Sequence, residues 1–216
     1  MTQNFQELLG PTRVIPVIRI DALESAVPLA QALVAGGLQV LEITLRTGAG
    51  LEAIARIAEA VPEAVVGAGT VTTPQQLRDA RNAGAQFIVS PGCTDALAAA
   101  AAEAGGAFLP GAVTASEVLR LLEHGISLMK FFPAETSGGV AALKALAGPF
   151  PDVRFCPTGG IDLARAQDYL ALRNVVCVGG TWMVAADLIA RGDWDAITAL
   201  AAEASAATSV PAPAAA

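Results

Sequence analysis

Eight short β-rich runs recur along the chain, and each is followed by an Ala- and Leu-rich segment of helical period that often ends in glycine. The runs lie near Val14 to Arg19, Val40 to Leu45, Ala64 to Ala68, Gln86 to Ser90, Ala107 to Leu109, Leu128 to Phe132, Val153 to Cys156 and Val175 to Val178. Between them, helices are expected over Ala22 to Ala35, Pro74 to Ala83, Ser116 to His124 and Val140 to Ala147, among others. This alternation predicts an α/β fold, and eight evenly spaced units point to a single (β/α)8 TIM barrel. A doubly wound open sheet is the competing topology, but it has no need of eight units. Residues 2–9 are expected to form an N-terminal capping helix over the barrel bottom. From Ala204 to Ala216 the chain has almost no large apolar side chain to bury, so a frayed or disordered tail is expected beyond a barrel domain spanning 1–203.

Composition narrows the function classes. The chain is 54% hydrophobic with mean hydropathy +0.54, values that would suit a membrane protein if the apolar residues came in runs of about 18 or more. Charged residues, Gly and Pro interrupt every stretch, and the segment Met1 to Glu7 has no basic region ahead of an apolar one, so a soluble, cytoplasmic protein is expected. A net charge of -7 without a basic cluster argues against nucleic acid but leaves small anions possible. Cys93, Cys156 and Cys177 are widely spaced and outside any CxxC pattern, so neither a disulfide framework nor a zinc site is indicated. With one histidine, His124 at a helix end, a metal-dependent mechanism lacks its ligands.

Of the 13 basic residues only Lys130 and Lys144 are lysine. Arginine stays protonated and cannot act as an amine nucleophile, so amine chemistry is where arginine could not substitute. Lys144 lies on a helix and reads as a solvated surface residue. Lys130 lies in Leu128-Met129-Lys130-Phe131-Phe132-Pro133, inside a strand that should be buried. If the strand alternates, Lys130 and Phe132 face the barrel mouth, where burial disfavours the ammonium and leaves an amine able to attack a ketone. The competing reading is a lysine that snorkels to solvent from the strand end.

In Leu41-Glu42-Ile43-Thr44-Leu45-Arg46-Thr47, Glu42, Thr44 and Arg46 share one face by the period of two. Glu42 could shuttle protons and Arg46 offers a planar fork for a carboxylate. A Glu42–Arg46 ion pair that only holds the barrel together is the alternative. An ionised Glu42 near Lys130 would oppose its deprotonation, so the two would titrate as a coupled pair. Glycine-rich turns are expected after three strands, at Gly67 to Thr70, Cys156 to Gly160 and Val178 to Thr181. The last two follow strands seven and eight, the usual phosphate position in β/α barrels, where Thr158 and Thr181 add hydroxyls. Each turn could instead be a helix cap and no more.

Taken together, LEITLR, GAGTV, SPG, MKFFPAE, GPFPDVRFCPTGG and VGGTWM resemble the bacterial 2-keto-3-deoxy-6-phosphogluconate (KDPG) and 4-hydroxy-2-oxoglutarate (KHG) aldolases, the class I enzymes of the Entner–Doudoroff pathway, from about Arg13 to Glu203. The resemblance implies a homotrimer of β/α barrels that cleaves a phosphorylated 2-keto-3-deoxy sugar acid to pyruvate and a triose phosphate without a cofactor. It implies that Lys130 forms the Schiff base and Glu42 is the acid/base. It further implies that Arg46 and Thr70 hold the pyruvate carboxylate and Phe132 packs on the substrate. Thr158, Gly159, Gly160, Gly180 and Thr181 would hold phosphate or nearby polar groups. Some relatives carry Ser where Thr181 stands. The corresponding 6-phosphogalactonate substrate is an alternative, as are a phosphosugar isomerase and a non-catalytic phosphosugar-binding protein, which would present the same phosphate turns without needing Lys130.

Overall fold

The computed structural model describes residues 5–9 and 13–209. Eight strands alternate with helices: β1 Val14–Ile18, β2 Val40–Thr44, β3 Val65–Gly69, β4 Phe87–Val89, β5 Ala107–Leu109, β6 Leu128–Phe131, β7 Arg154–Pro157 and β8 Val178–Gly180. The helices are α1 Phe5–Leu9, α2 Ala26–Ala35, α3 Gly50–Ala60, α4 Pro74–Asn82, α5 Asp95–Ala104, α6 Ala115–Glu123, α7 Gly139–Leu146, α8 Leu163–Leu170, α9 Ala186–Arg191 and α10 Trp194–Thr208. Thr73, Thr94, Thr114, Asp162 and Asp193 each accept a backbone N–H at a helix start, and Thr114 with Glu117 closes a full capping box.

All strand pairings are parallel. Six strands form one sheet in the order β5-β4-β3-β2-β1-β8, and β6 pairs with β7. The expected uninterrupted eight-stranded ladder is therefore divided in two. Between the parts, among the described residues, the backbone meets at single bridges, Gly111 with Lys130 on one side and Phe155 with Val175 and Thr158 with Gly179 on the other.

Alternation along the strands sorts side chains into two apolar layers. Leu41 and Ile43 of β2, Ile88 of β4, and Met129 and Phe131 of β6 pack in the large cluster that also holds the helix residues Leu33, Ile54 and Leu77. Their neighbours Val40, Phe87, Val89, Ala107, Leu109 and Cys156 face the other way into a smaller cluster. Phe5, Leu8 and Leu9 of α1 join that cluster, with the Phe5 and Phe87 rings edge to face at 5.4 Å. Residues 2–4 of the expected capping helix lie outside the described residues.

Two sequence expectations are corrected. The boundary expected at Ala204 falls inside α10, which continues to Thr208 with Ala204 and Thr208 buried. Small side chains there permit close packing on α2: a Cβ on Gly36 would stand 2.4 Å from Cβ of Ala201. Residues 210–216 of the expected tail lie outside the described residues. The second correction concerns Gly179 and Gly180, which are strand residues of β8 paired with Ile15 and Pro16 rather than a turn. Val175 is reduced to a single bridge, so β8 starts later than the β-branched run suggested. Among the described residues no helix is long and apolar enough to cross a membrane.

Candidate active site

Side chains on the inner face change character toward the strands' C-terminal ends. Along β2, Val40 gives way to Glu42 and then Thr44, and along β6, Leu128 gives way to Lys130. Lys130 is 5% exposed and Glu42 2%. The Lys130 Nζ donates to both carboxylate oxygens of Glu42, at 2.9 and 3.2 Å. Two charges at this depth are tolerable only because they meet, since an unpaired ion would bear a desolvation cost of several kcal/mol. The lysine therefore does not snorkel to solvent. Nor does Glu42 pair with Arg46, the purely structural alternative. Thr44, also buried, donates to the carbonyl of Ile18 at 2.9 Å and fixes the end of β2 against β1.

Room for this pair is made by backbone. Gly69 is paired with Thr44 across β2 and β3, and a Cβ there would lie 2.2 Å from Oε1 of Glu42. On the other side of Lys130, Gly111 bridges its backbone, and a Cβ on Gly111 would meet the Pro91 carbonyl at 2.1 Å. In the sequence Gly111 was passed over, the Pro91 loop entered only as the SPG motif of the family resemblance, and Gly69 was part of a weak turn signal. A glycine inside a strand is the signal that could have marked Gly69, because it permits close approach at the cost of a packing side chain.

The Phe132 ring centroid lies 5.6 Å from the Lys130 Nζ, and Gly159 packs on that ring with its Cβ direction 3.4 Å away. Gly159 and Gly160 have φ of +105° and +76°, so these two are true turn glycines. Thr158 is buried beneath Gly179, where a Cβ would sit 2.3 Å from its Oγ1, and that hydroxyl has no hydrogen-bond partner among the described residues. A Cβ on Gly180 would collide with the Trp182 ring at 1.8 Å. Both strand glycines thus serve close packing.

Arg46 lies past the end of β2, exposed, and its Nε donates to Oγ1 of Thr70 at 3.2 Å. Thr70 holds φ of +60°, the one positive value among described non-glycine residues, a conformation that costs about 1–3 kcal/mol and persists where the surroundings enforce it. Thr181 is exposed and lines a cavity of about 550 Å³ with Val17, Arg19 and Trp194. Lys130, Glu42, Phe132 and Gly159 thus form one connected group, Thr158 lies against β8, and Arg46 with Thr70 makes a separate pair at the rim. Lys144 is exposed.

Thiol chemistry is disfavoured. Burial pushes the Cys93 thiol up to about 11, and the Cys156 thiol together with burial raises Cys177 well above the usual cysteine range. Among the described residues no three His, Cys, Asp or Glu side chains are grouped to hold a metal. His124 sits at the end of α6 and meets the Asp95 carboxylate at 3.2 Å, so its partner is a surface acid as well as the helix end.

Residues 5–200 match the KDPG and KHG aldolase family. The chain is 56% identical over 199 residues to a 2-dehydro-3-deoxy-phosphogluconate aldolase of Dickeya dadantii, covering 92% of this chain and 93% of that one. A KDPG aldolase from Legionella pneumophila, solved with pyruvate captured at low pH as a covalent carbinolamine intermediate, superposes with a TM-score of 0.90 at 44% identity, covering 93% and 97% of the two chains. The Zymomonas mobilis KDPG aldolase with 3-phosphoglycerate gives 0.90 at 47% identity, covering 96% and 97%. Likeness at this level, over nearly the whole length, places the chain in the KDPG and KHG aldolase family.

Proposed function

We propose that this chain is a class I aldolase that cleaves 2-dehydro-3-deoxy-6-phosphogluconate to pyruvate and glyceraldehyde 3-phosphate through an imine on Lys130. The observation that carries the proposal is the buried Lys130–Glu42 pair, at 2.9 and 3.2 Å, on the face that turns polar toward the strands' C-terminal ends. An isomerase could use the carboxylate as a base, but neither it nor a passive binder has need of an imine on the lysine.

The shared proton is the starting point. Its transfer from Nζ to Glu42 leaves a neutral amine and a carboxylic acid in contact. The amine attacks C2 of the keto acid while the acid protonates the new alkoxide; the Glu42 carboxylate then takes one proton from the carbinolamine nitrogen and passes it to the hydroxyl, which leaves as water. The protonated imine then draws electrons toward C2. When a carboxylate, Glu42 directly or through a water, takes the proton of the C4 hydroxyl, the C3–C4 bond breaks. The aldehyde departs and C3 is stored as an enamine. Protonation at C3 and hydrolysis release pyruvate and restore the amine. The imine supplies the electron sink, so the chemistry calls for neither metal nor organic cofactor.

Around this centre, Arg46 and Thr70 would hold the substrate carboxylate, and Phe132 would pack on the carbon chain. Thr158, Gly159, Gly160, Gly180 and Thr181 would receive the phosphate end. The unpartnered Thr158 hydroxyl and the positive-φ turn support that last assignment. KHG, which lacks a phosphate, would use the same lysine and leave the turn unfilled; the family's own description favours it as a second substrate. The 6-phosphogalactonate stereoisomer would differ only in its contacts near C4.

The single bridges flanking β6 and β7 support closure of the strands into a TIM barrel, with α1 capping its lower end through Phe5, Leu8 and Leu9. The unit to about residue 203, plus the rest of α10, would form that one domain, assembled as a homotrimer in the cytoplasm by analogy with the family.

A coupled assay tests the function. With lactate dehydrogenase and NADH, the purified protein should release one pyruvate for each KDPG consumed, with glyceraldehyde 3-phosphate in equal amount. Conversion of a sugar phosphate without pyruvate would contradict the proposal.

A further inference from the structure

Glu135 stands outside the group just described yet is tied to it from several directions. Its backbone N–H donates to the Gly159 carbonyl at 3.2 Å, and the Ala134 N–H donates to the Thr158 carbonyl at 2.8 Å. The Glu135 side chain packs behind the turn, where a Cβ on Gly160 would lie 2.7 Å from its Cγ. Its carboxylate is held in turn by α8: the Tyr169 hydroxyl donates to Oε1, and the Arg165 Nε lies 3.3 Å from Oε2. Arg165 then closes the circuit, its Nη1 donating to the Gly160 carbonyl and to Asp162, each at 3.2 Å.

The consequence is an asymmetric turn. The carbonyls of Thr158, Gly159 and Gly160 are all drawn back toward Ala134, Glu135 and Arg165, while the N–H groups of Gly159 and Gly160 make no backbone hydrogen bond among the described residues. Successive amides freed in this way form a concavity suited to an anion. Tyr169 is 1% exposed. Its hydroxyl is pushed well above the usual tyrosine range by burial and then by the Glu135 carboxylate, so it remains a donor at every working pH.

We infer that Glu135, locked by Tyr169 and Arg165, is a positioning residue that holds the Gly159–Gly160 turn with its amides outward and thereby sets the preference for phosphorylated over unphosphorylated keto acids. This rests on the proposed function, and it adds the device that shapes the phosphate end. Glu135 touches no reacting atom and acts only through the turn.

The test compares Tyr169→Phe and Glu135→Gln with the unaltered protein on KDPG and on KHG, with inorganic phosphate as a competing anion. Losing one charge-assisted bond in this circuit should raise KM for KDPG and the inhibition constant of phosphate about tenfold in each variant. kcat on KDPG should stay within about twofold, and both constants on KHG should not move. Tyr169→Phe removes a single oxygen and keeps the ring, so it provides the readout if Glu135→Gln folds poorly. Equal losses on both substrates, or unchanged constants on both, would overturn the inference and reduce Glu135 to a fold contact. An unaltered protein with equal kcat/KM on the two keto acids and no inhibition by phosphate would overturn the phosphate reading itself, and this inference with it.

Discussion

The two ends of the strands' inner face are made of different materials. At the starts of the strands, Ile15, Val40, Phe87 and Ala107 gather in one apolar cluster with Phe5, Leu8 and Leu9. Toward the other end the same face carries Glu42, Thr44, Lys130 and Thr158, separated by glycines that leave room for them. Each fully buried large apolar side chain contributes roughly 1.5–3 kcal/mol to stability. The ion pair at the far end, by contrast, returns little more than the desolvation it costs. One end therefore secures the fold, and that security permits a charged pair at the other, where the proposed chemistry needs it.

Substitutions at the two ends should separate these roles. The largest effect is expected for Lys130→Arg, which keeps the charge opposite Glu42 but removes the proposed nucleophile: turnover should fall roughly ten-thousandfold or more while circular dichroism and cooperative melting persist. At the opposite end Phe87→Ala should cost about 3–5 kcal/mol in denaturant unfolding and leave kcat of the folded fraction nearly unchanged. If Phe87→Ala instead removed activity without loss of stability, the division between the ends would be wrong.

Gly69→Ala sharpens the comparison within the polar end. Its new methyl would stand 2.2 Å from the Glu42 carboxylate, so Glu42 must swing away from Lys130. kcat should drop about a hundredfold, the usual scale of a lost acid/base group, with a smaller change in melting temperature than Phe87→Ala produces.

The smallest effect belongs to an exposed counterpart of the buried pair. Asp95 receives two guanidinium bonds from Arg120 at 2.6 Å and lies beside His124, and these partners, Arg120 first, hold its carboxyl down at about 2. A depressed acid stabilises the folded state above its ordinary value of 3.8 and loses that contribution as pH falls toward 2. Melting curves should show the unaltered protein losing slightly more stability than Asp95→Asn across this acid window and little difference at neutral pH, since exposed pairs are screened.

Much of this division could be read in the chain, because each feature involved conflicts with its local pattern. Strand positions followed from apolar runs and glycine punctuation, and Lys130 and Glu42 stood out as charges in segments that should be buried. What the sequence hid was mostly non-local. The partner of Glu42 is 88 residues away, so its pairing with Lys130 could be expected but the local alternative of Arg46 could be set aside only once the fold placed Lys130 beside it. Gly179 and Gly180 suggested a turn because their local cue is the same as that of Gly159 and Gly160; only the collisions with Thr158 and Trp182 distinguish close packing from a reversal. The end of α10 was missed because an alanine face that packs closely on Gly36 has no large apolar side chain to announce it. Tyr169 gave no signal at all, since its role depends on Glu135 from another βα unit.

Borohydride trapping in the presence of pyruvate tests the central claim most directly, read first as intact mass and then as the modified peptide. A single stable pyruvyl adduct on Lys130, absent from Lys130→Arg, is the predicted result. An unmodified, folded protein beside a working aldolase control, or an adduct on Lys144 instead, would contradict it.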